Sequence, residues 1–182
     1  DRLASDFIDE YQEFLRCTVA SASNDTRLGA NEAPPAIVSI FLGDELNAVV
    51  KSIIDGTNYT EPEKSLLRIG VDGIPAIPQD TTDRNRTSPF AFTGNKFEFR
   101  AVGSSQTCAW PMTVLNTIVA ESLDEICTIL EPVKDKPEEF HATLNKLLQN
   151  IIKKHKRILF SGDGYGEAWV EEAERRNLPN IP

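Results

Sequence analysis

Two stretches of this chain place charge where neither helical nor strand periodicity asks for it. The first is Asn24-Asp25-Thr26-Arg27-Leu28-Gly29-Ala30-Asn31-Glu32-Ala33-Pro34-Pro35, in which Arg27 and Glu32 flank a glycine-containing bend that a proline pair then fixes. A carboxylate on such a tethered loop suits a general base that closes over a site. Taken without context, the same loop is a solvated one with an incidental acid. The second stretch runs from Asp83 to Arg100. It holds four basic residues (Arg84, Arg86, Lys96, Arg100) against two acidic ones (Asp83, Glu98), in a chain of net charge −9. A local excess of positive charge in an acidic protein suits a small anion. Phosphoryl transfer needs fixed cations around the migrating group, and arginine offers a planar, permanently charged donor fork. A carboxylate at a neighbouring strand position can hold the divalent metal that bridges nucleotide phosphates. The plainer account of Glu98 and Arg100 is an exposed strand pair of opposite sign.

The elements that must position these residues follow from periodicity. Phe7, Ile8, Tyr11, Phe14, Leu15 and Val19 recur at three- and four-residue intervals, one face of a helix. Ser21-Ala22-Ser23-Asn24-Asp25 is expected to break it into a loop. Residues 24–31 are expected to be more mobile than the helices, as a lid must be. Pro34 and Pro35 hold the chain extended into a buried strand over 36–42, and Gly43-Asp44 opens a short helix through Ile54. In Phe97-Glu98-Phe99-Arg100-Ala101-Val102 the residues alternate, so Glu98 and Arg100 share one strand face, away from Phe97 and Phe99. Helices are expected over 113–130, from Pro137 to about Leu159, and over 167–177, the last after a turn at Gly162, Gly164 and Gly166. The class is α+β, with helices dominating the C-terminal half.

Composition narrows the function. At 182 residues and 40% hydrophobic, the chain can bury one core. No apolar run approaches the roughly 18 residues needed to span a bilayer, so no membrane is expected as a partner. The acidic balance argues against nucleic acid, which wants a basic face. Cys17, Cys108 and Cys127 form no CxxC and cannot all pair, the usage of a reduced cytoplasmic protein, with core packing expected for each. His141 and His155 are expected to be solvated. The basic run 153–157 is expected to complement a helix dipole. The glycines of 161–166 lack the Lys-Ser/Thr of a phosphate loop. Opening on Asp1 directly into an apolar-periodic run, the chain is expected to be a fragment.

Three segments, in order, resemble those of one family. Arg-Leu-Gly-Ala-Asn-Glu-Ala-Pro (27–34) is similar to the Arg-Leu-x-Pro-Gly-x-Glu-Ala-Pro flap of the glutamine synthetases, one residue shorter. Asn85-Arg86-Thr87-Ser88 resembles their Asn-Arg-Ser segment, and Lys96-Phe97-Glu98-Phe99-Arg100 their Arg-x-Glu-x-Arg strand. The resemblance implies an ATP- and Mg²⁺- or Mn²⁺-dependent ligase that phosphorylates the γ-carboxylate of glutamate and lets ammonia displace phosphate. It implies Glu32 as the flap glutamate that takes a proton from ammonium, and Arg27 and Arg100 as arginines on the glutamate substrate. Arg86 would lie on the transferring phosphate and Glu98 on a catalytic metal ion. The family's second phosphate arginine would fall near Ala91 or Phe92; Arg84 or Lys96 stands in for it.

The separation of the first two segments by residues 42–83 resembles the class III enzymes, and no segment like the one the common class modifies with AMP is present. By this resemblance residues 1–130 are the C-terminal part of a catalytic domain of antiparallel strands, and 131–182 a helical extension packed on it. The missing N-terminal part and a ring-type homo-oligomer would complete the site, leaving this chain inert alone. Two rivals stand beside this expectation: a ligase joining glutamate to another amine, and a non-catalytic assembly module.

Overall fold

The computed structural model describes residues 4–30, 33–57, 66–67, 77–78 and 88–180. Glu32, Arg84 and Arg86 lie outside the described residues, as does most of the 42–83 insertion beyond residue 57.

The apolar run from Phe7 to Val19 folds as two helices, α1 (Ala4–Glu10) and α2 (Gln12–Thr18), with a break at Tyr11. Ile8, Leu15 and Val19 are fully buried, as their spacing requires. The next segment corrects the expected loop. Ala22–Arg27 is a helix, α3, whose N-cap Ser21 accepts a hydrogen bond from Asn24 N at 3.2 Å. Ser, Asn and Asp are shared between loops and helix caps because their side chains bond nearby backbone, and here the cap prevails. Gly29, at φ +84°, turns the chain in the left-handed region, and its N–H closes the bend on Pro34 O at 2.8 Å.

Buried residues continue from Ala33 to Leu42, interrupted only at half-buried Ala36 and Phe41, but ladder pairing is confined to β1 (Ile40–Phe41). α4 (Asp44–Asp55) follows as expected and ends on Gly56 in the left-handed conformation. β2 (Leu66–Leu67) and β3 (Ile77–Pro78) pair antiparallel. The main sheet is mixed, in the order β1-β4-β5. β4 (Phe90–Phe92) runs antiparallel to β5 (Phe97–Phe99) and parallel to β1.

Three helices complete the fold: α5 (Ala109–Leu130), α6 (Pro137–His155) and α7 (Glu167–Arg175), with 3₁₀ turns at Glu131–Val133 and Lys156–Ile158. One core joins α1, α2, β1, β4, α5 and α7 through Ile8, Leu15, Ile40, Phe90, Ile118 and Trp169. The C-terminal segment is stitched to the sheet: Phe160 N donates to Ile40 O at 3.0 Å, beside a parallel bridge between Ile40 and Leu159.

Two expectations about single residues fail. His155 is buried, its Nδ1 2.7 Å from Asp9 Oδ2, because α6 packs its last turn onto α1. The three cysteines are free and exposed, so none packs in the core. Among the described residues no helix is long and apolar enough to cross a membrane.

Candidate functional site

The site is built on β5. Phe97 and Phe99 turn inward, their rings 5.2 and 6.1 Å from that of Phe90, while Phe92 lies 5.3 Å from Phe97. That aromatic backing fixes the strand's inner face and so commits residues 96, 98 and 100 to the outer one. There Arg100 donates to Glu98 Oε2 through Nη2 at 3.1 Å and Nε at 3.2 Å, and Lys96 Nζ stands 3.4 Å from Oε1. The hydrogen bond from Arg100 holds the Glu98 carboxyl below the usual carboxylate range, helped by the charges of Arg100 and Lys96 and opposed by partial desolvation. Glu98 is therefore an anion at neutral pH.

α3 is tied to the end of this strand. Asn24 Nδ2 donates to Ala101 O at 2.8 Å and to Val19 O at 2.7 Å, and its Oδ1 accepts from Arg27 Nε at 2.9 Å. Arg27 Nη2 reaches Ala101 O at 3.2 Å and Val102 O at 3.4 Å. Arg27 thus holds the carbonyl of Ala101, the residue that follows Arg100.

The flanks of the two undescribed site segments are also fixed. Ser88, buried, donates to Ser39 O at 2.9 Å and accepts from Phe90 N at 3.3 Å, anchoring the chain two residues beyond Arg86. Ala33, which follows Glu32, accepts a hydrogen bond from Tyr165 Oη in the glycine turn.

A divalent ion would find one hard oxygen donor here, the Glu98 carboxylate, which suits Mg²⁺ or Mn²⁺ in type. Among the described residues no group of three or more His, Cys, Asp or Glu gathers to hold a metal. Glu98 can supply one ligand, and the others must come from elsewhere.

Comparison with known proteins bears on the family. Residues 143–182 match the glutamine synthetase C-terminal domain. The type-3 glutamine synthetase of Dictyostelium discoideum is 51% identical over 176 residues, 96% of this chain. This chain belongs to the glutamine synthetase family. The glutamine synthetases of Bacteroides fragilis and Butyrivibrio fibrisolvens are 46% and 42% identical, each again over 96% of the chain. In every case the match covers 24% of the relative, so the chain spans about a quarter of the length of the curated relatives it matches.

The chain also carries supporting residues that spacing did not reveal. Gln106 accepts from Gly103 N at 2.8 Å and donates to Val19 O at 3.2 Å, completing the clamp around Asn24. A Cβ at Gly103 would meet Gln106 Oε1 at 2.9 Å and Asn24 Oδ1 at 3.2 Å, so a side chain there would have to displace the Gln106 amide that holds Gly103 N. Arg16, buried at the end of α2, donates to Asp25 Oδ1 at 2.7 Å. The available signal was Asn24 itself, a polar residue in the first turn of α3 whose amide bonds the carbonyls of nearby Val19 and distant Ala101.

Proposed function

We propose that the whole protein is an ATP-dependent ligase forming glutamine from glutamate and ammonia through γ-glutamyl phosphate, and that this chain supplies part of its site. The observation that carries the reading is the outer face of β5, where an ionised Glu98 stands between Arg100 and Lys96 on a rigid aromatic backing. Preorganised charge of this kind acts in catalysis because it needs no rearrangement as the reaction proceeds.

In this reading Arg100 and the anchored Arg27 hold the glutamate substrate. Arg86, with Arg84 or Lys96, neutralises the transferring phosphoryl group. Glu32 takes the proton from ammonium so that a neutral amine attacks. Glu98 contributes one ligand to Mg²⁺ or Mn²⁺, an ion that when bound lowers the charge on the nucleotide phosphates. Residues 1–130 then end the catalytic domain and 131–182 extend it. A ring-type homo-oligomer in the cytoplasm is the matching assembly.

The test is phosphate release by the full-length protein given ATP and glutamate, with ammonium or with a panel of amines. Ammonium is expected to support turnover best; a preference for a larger amine would move the protein to the sister ligases. Glu32→Gln is expected to slow glutamine formation by about 10²-fold or more while slow, ammonium-independent ATP cleavage survives. Arg86→Ala is expected to lose ATP cleavage itself. Equal losses of both activities in the two variants would contradict the assigned roles.

A further inference from the structure

The residue that follows Glu32 is held from far along the chain. Ala33 is buried, and its carbonyl accepts a hydrogen bond from Tyr165 Oη, 132 positions later. The local backbone offers that carbonyl no substitute donor. Pro34 has no N–H, Ala33 N is spent on Ala30 O at 3.2 Å, and Gly29 N on Pro34 O at 2.8 Å. Pro34 is itself fully buried and keeps Ala33 extended. Among the described residues, Tyr165 is the donor on which this carbonyl depends.

Tyr165 is presented from a braced turn. Phe160 N donates to Ile40 O at 3.0 Å, and the Phe160 ring stacks on that of Trp169 at 3.7 Å. Asn47 Nδ2, on α4, donates to Ser161 Oγ at 2.7 Å. Asp163 Oδ1 then accepts from Tyr165 N at 3.0 Å, closing the turn just before α7. The Tyr165 residue is 41% exposed, which is not the placement of a core aromatic. Its hydroxyl instead reaches inward to a buried carbonyl. The bond ties the turn after α6 to the backbone beside Glu32.

We propose that Tyr165 is a positioning residue for activation of the amine: by holding the Ala33 carbonyl it fixes the backbone next to Glu32, and so where that carboxylate can act. The inference rests on the reading of Glu32 as the base that takes a proton from ammonium, leaving ammonia to displace phosphate from γ-glutamyl phosphate. A general base works only within hydrogen-bond reach of its proton, about 2.6–3.2 Å. A misplacement of about 1 Å can cost about 10²-fold. A shift at Ala33 reaches residue 32 through a single peptide unit, whose planarity transmits it. Tyr165 thus acts through Ala33 and not on the reacting atoms.

The test is a double-mutant cycle in the full-length protein: wild type, Tyr165→Phe, Glu32→Gln and the double variant. Each is measured for glutamine formation at saturating ammonium, for ATP cleavage with glutamate alone, and for thermal unfolding. Tyr165→Phe removes a hydroxyl and keeps a ring that is not part of the core, so the variant is expected to fold. Its glutamine formation is expected to fall about 10-fold, a larger loss than that of ATP cleavage, because phosphorylation of glutamate precedes the amine step. In the Glu32→Gln background the same substitution is expected to change glutamine formation by less than about twofold, since residues that act as a unit are not additive. Equal losses of the two activities, additive losses in the cycle, or a Tyr165→Phe rate within about twofold of wild type would each overturn the proposal. Glu32→Gln as fast as wild type would instead overturn the reading of Glu32, and the proposal with it.

Discussion

Asp9 and Glu98 each accept two hydrogen bonds from an arginine, Asp9 from Arg157 Nε at 2.9 and 3.1 Å and Glu98 from Arg100 at 3.1 and 3.2 Å. Their surroundings differ. The Asp9 side chain is 3% exposed and also takes His155 Nδ1 at 2.7 Å and Gln12 Nε2 at 3.3 Å, so both oxygens are occupied from inside the fold. The Glu98 side chain is 39% exposed, and among the described residues its Oε1 has only Lys96, at 3.4 Å. A closed carboxylate cluster joins elements, here α1 to α6. An open one on a braced strand can exchange a partner for a ligand. Carboxylate and arginine do not by themselves mark a site; access does.

The comparison breaks most visibly if Asp9 is removed. Asp9→Ala removes the buried carboxylate shared by His155 Nδ1, Arg157 Nε and Gln12 Nε2, and each buried hydrogen-bond partner lost costs about 1–3 kcal/mol. Faster hydrogen exchange along α6 and a lower unfolding midpoint are expected, with turnover per folded molecule unchanged. Loss of turnover with normal exchange would mean that the closed cluster is the functional one.

A smaller effect is expected at Asn24, which connects the open site to the helices. Asn24→Ala takes one of two donors from each of the carbonyls of Val19 and Ala101 and removes the acceptor of Arg27 Nε, at about 0.5–1.5 kcal/mol for each hydrogen bond lost. The urea midpoint should fall, and KM for glutamate should rise as Arg27 loses its anchor. An unchanged KM with a lowered midpoint would separate Arg27 from the substrate.

The smallest effect belongs to a surface cluster. Glu172 accepts from Arg175 and Arg176, whose hydrogen bonds bring its carboxyl down to about 2 from the ordinary 4.5. A depressed folded value stabilises above the ordinary one and is lost as pH falls through the folded one. Wild type and Glu172→Gln should therefore differ in stability above pH 4.5 and converge toward pH 2. Exposed pairs contribute little, so parallel curves across that window would show that this pair contributes nothing.

How much of this was legible in sequence depended on the range of the interaction. Alternation in Phe97-Glu98-Phe99-Arg100 specified the outer face of β5, because strand geometry leaves a side chain two choices. The helices α4 to α7 followed from apolar spacing and glycine stops. α3 was misread because Ser21, Ser23, Asn24 and Asp25 serve loops and helix caps alike, and what selects the cap is Ala101, far along the chain. The burial of His155 was hidden for the same reason: its partner Asp9 lies on the first helix. β1 was overextended because burial from Ile37 to Leu42 resembles a strand even where no ladder forms.

The central claim, that the open pair on β5 serves a metal-dependent reaction, is tested most directly at Glu98. Glutamine formation by the full-length protein would be measured against Mg²⁺ and Mn²⁺ concentration for wild type and Glu98→Gln, alongside thermal unfolding of each. The account predicts that half-maximal activity in the variant needs about 10-fold or more metal, as for a lost ligand, with an unchanged unfolding midpoint. Identical metal dependence and turnover in the two proteins would contradict it.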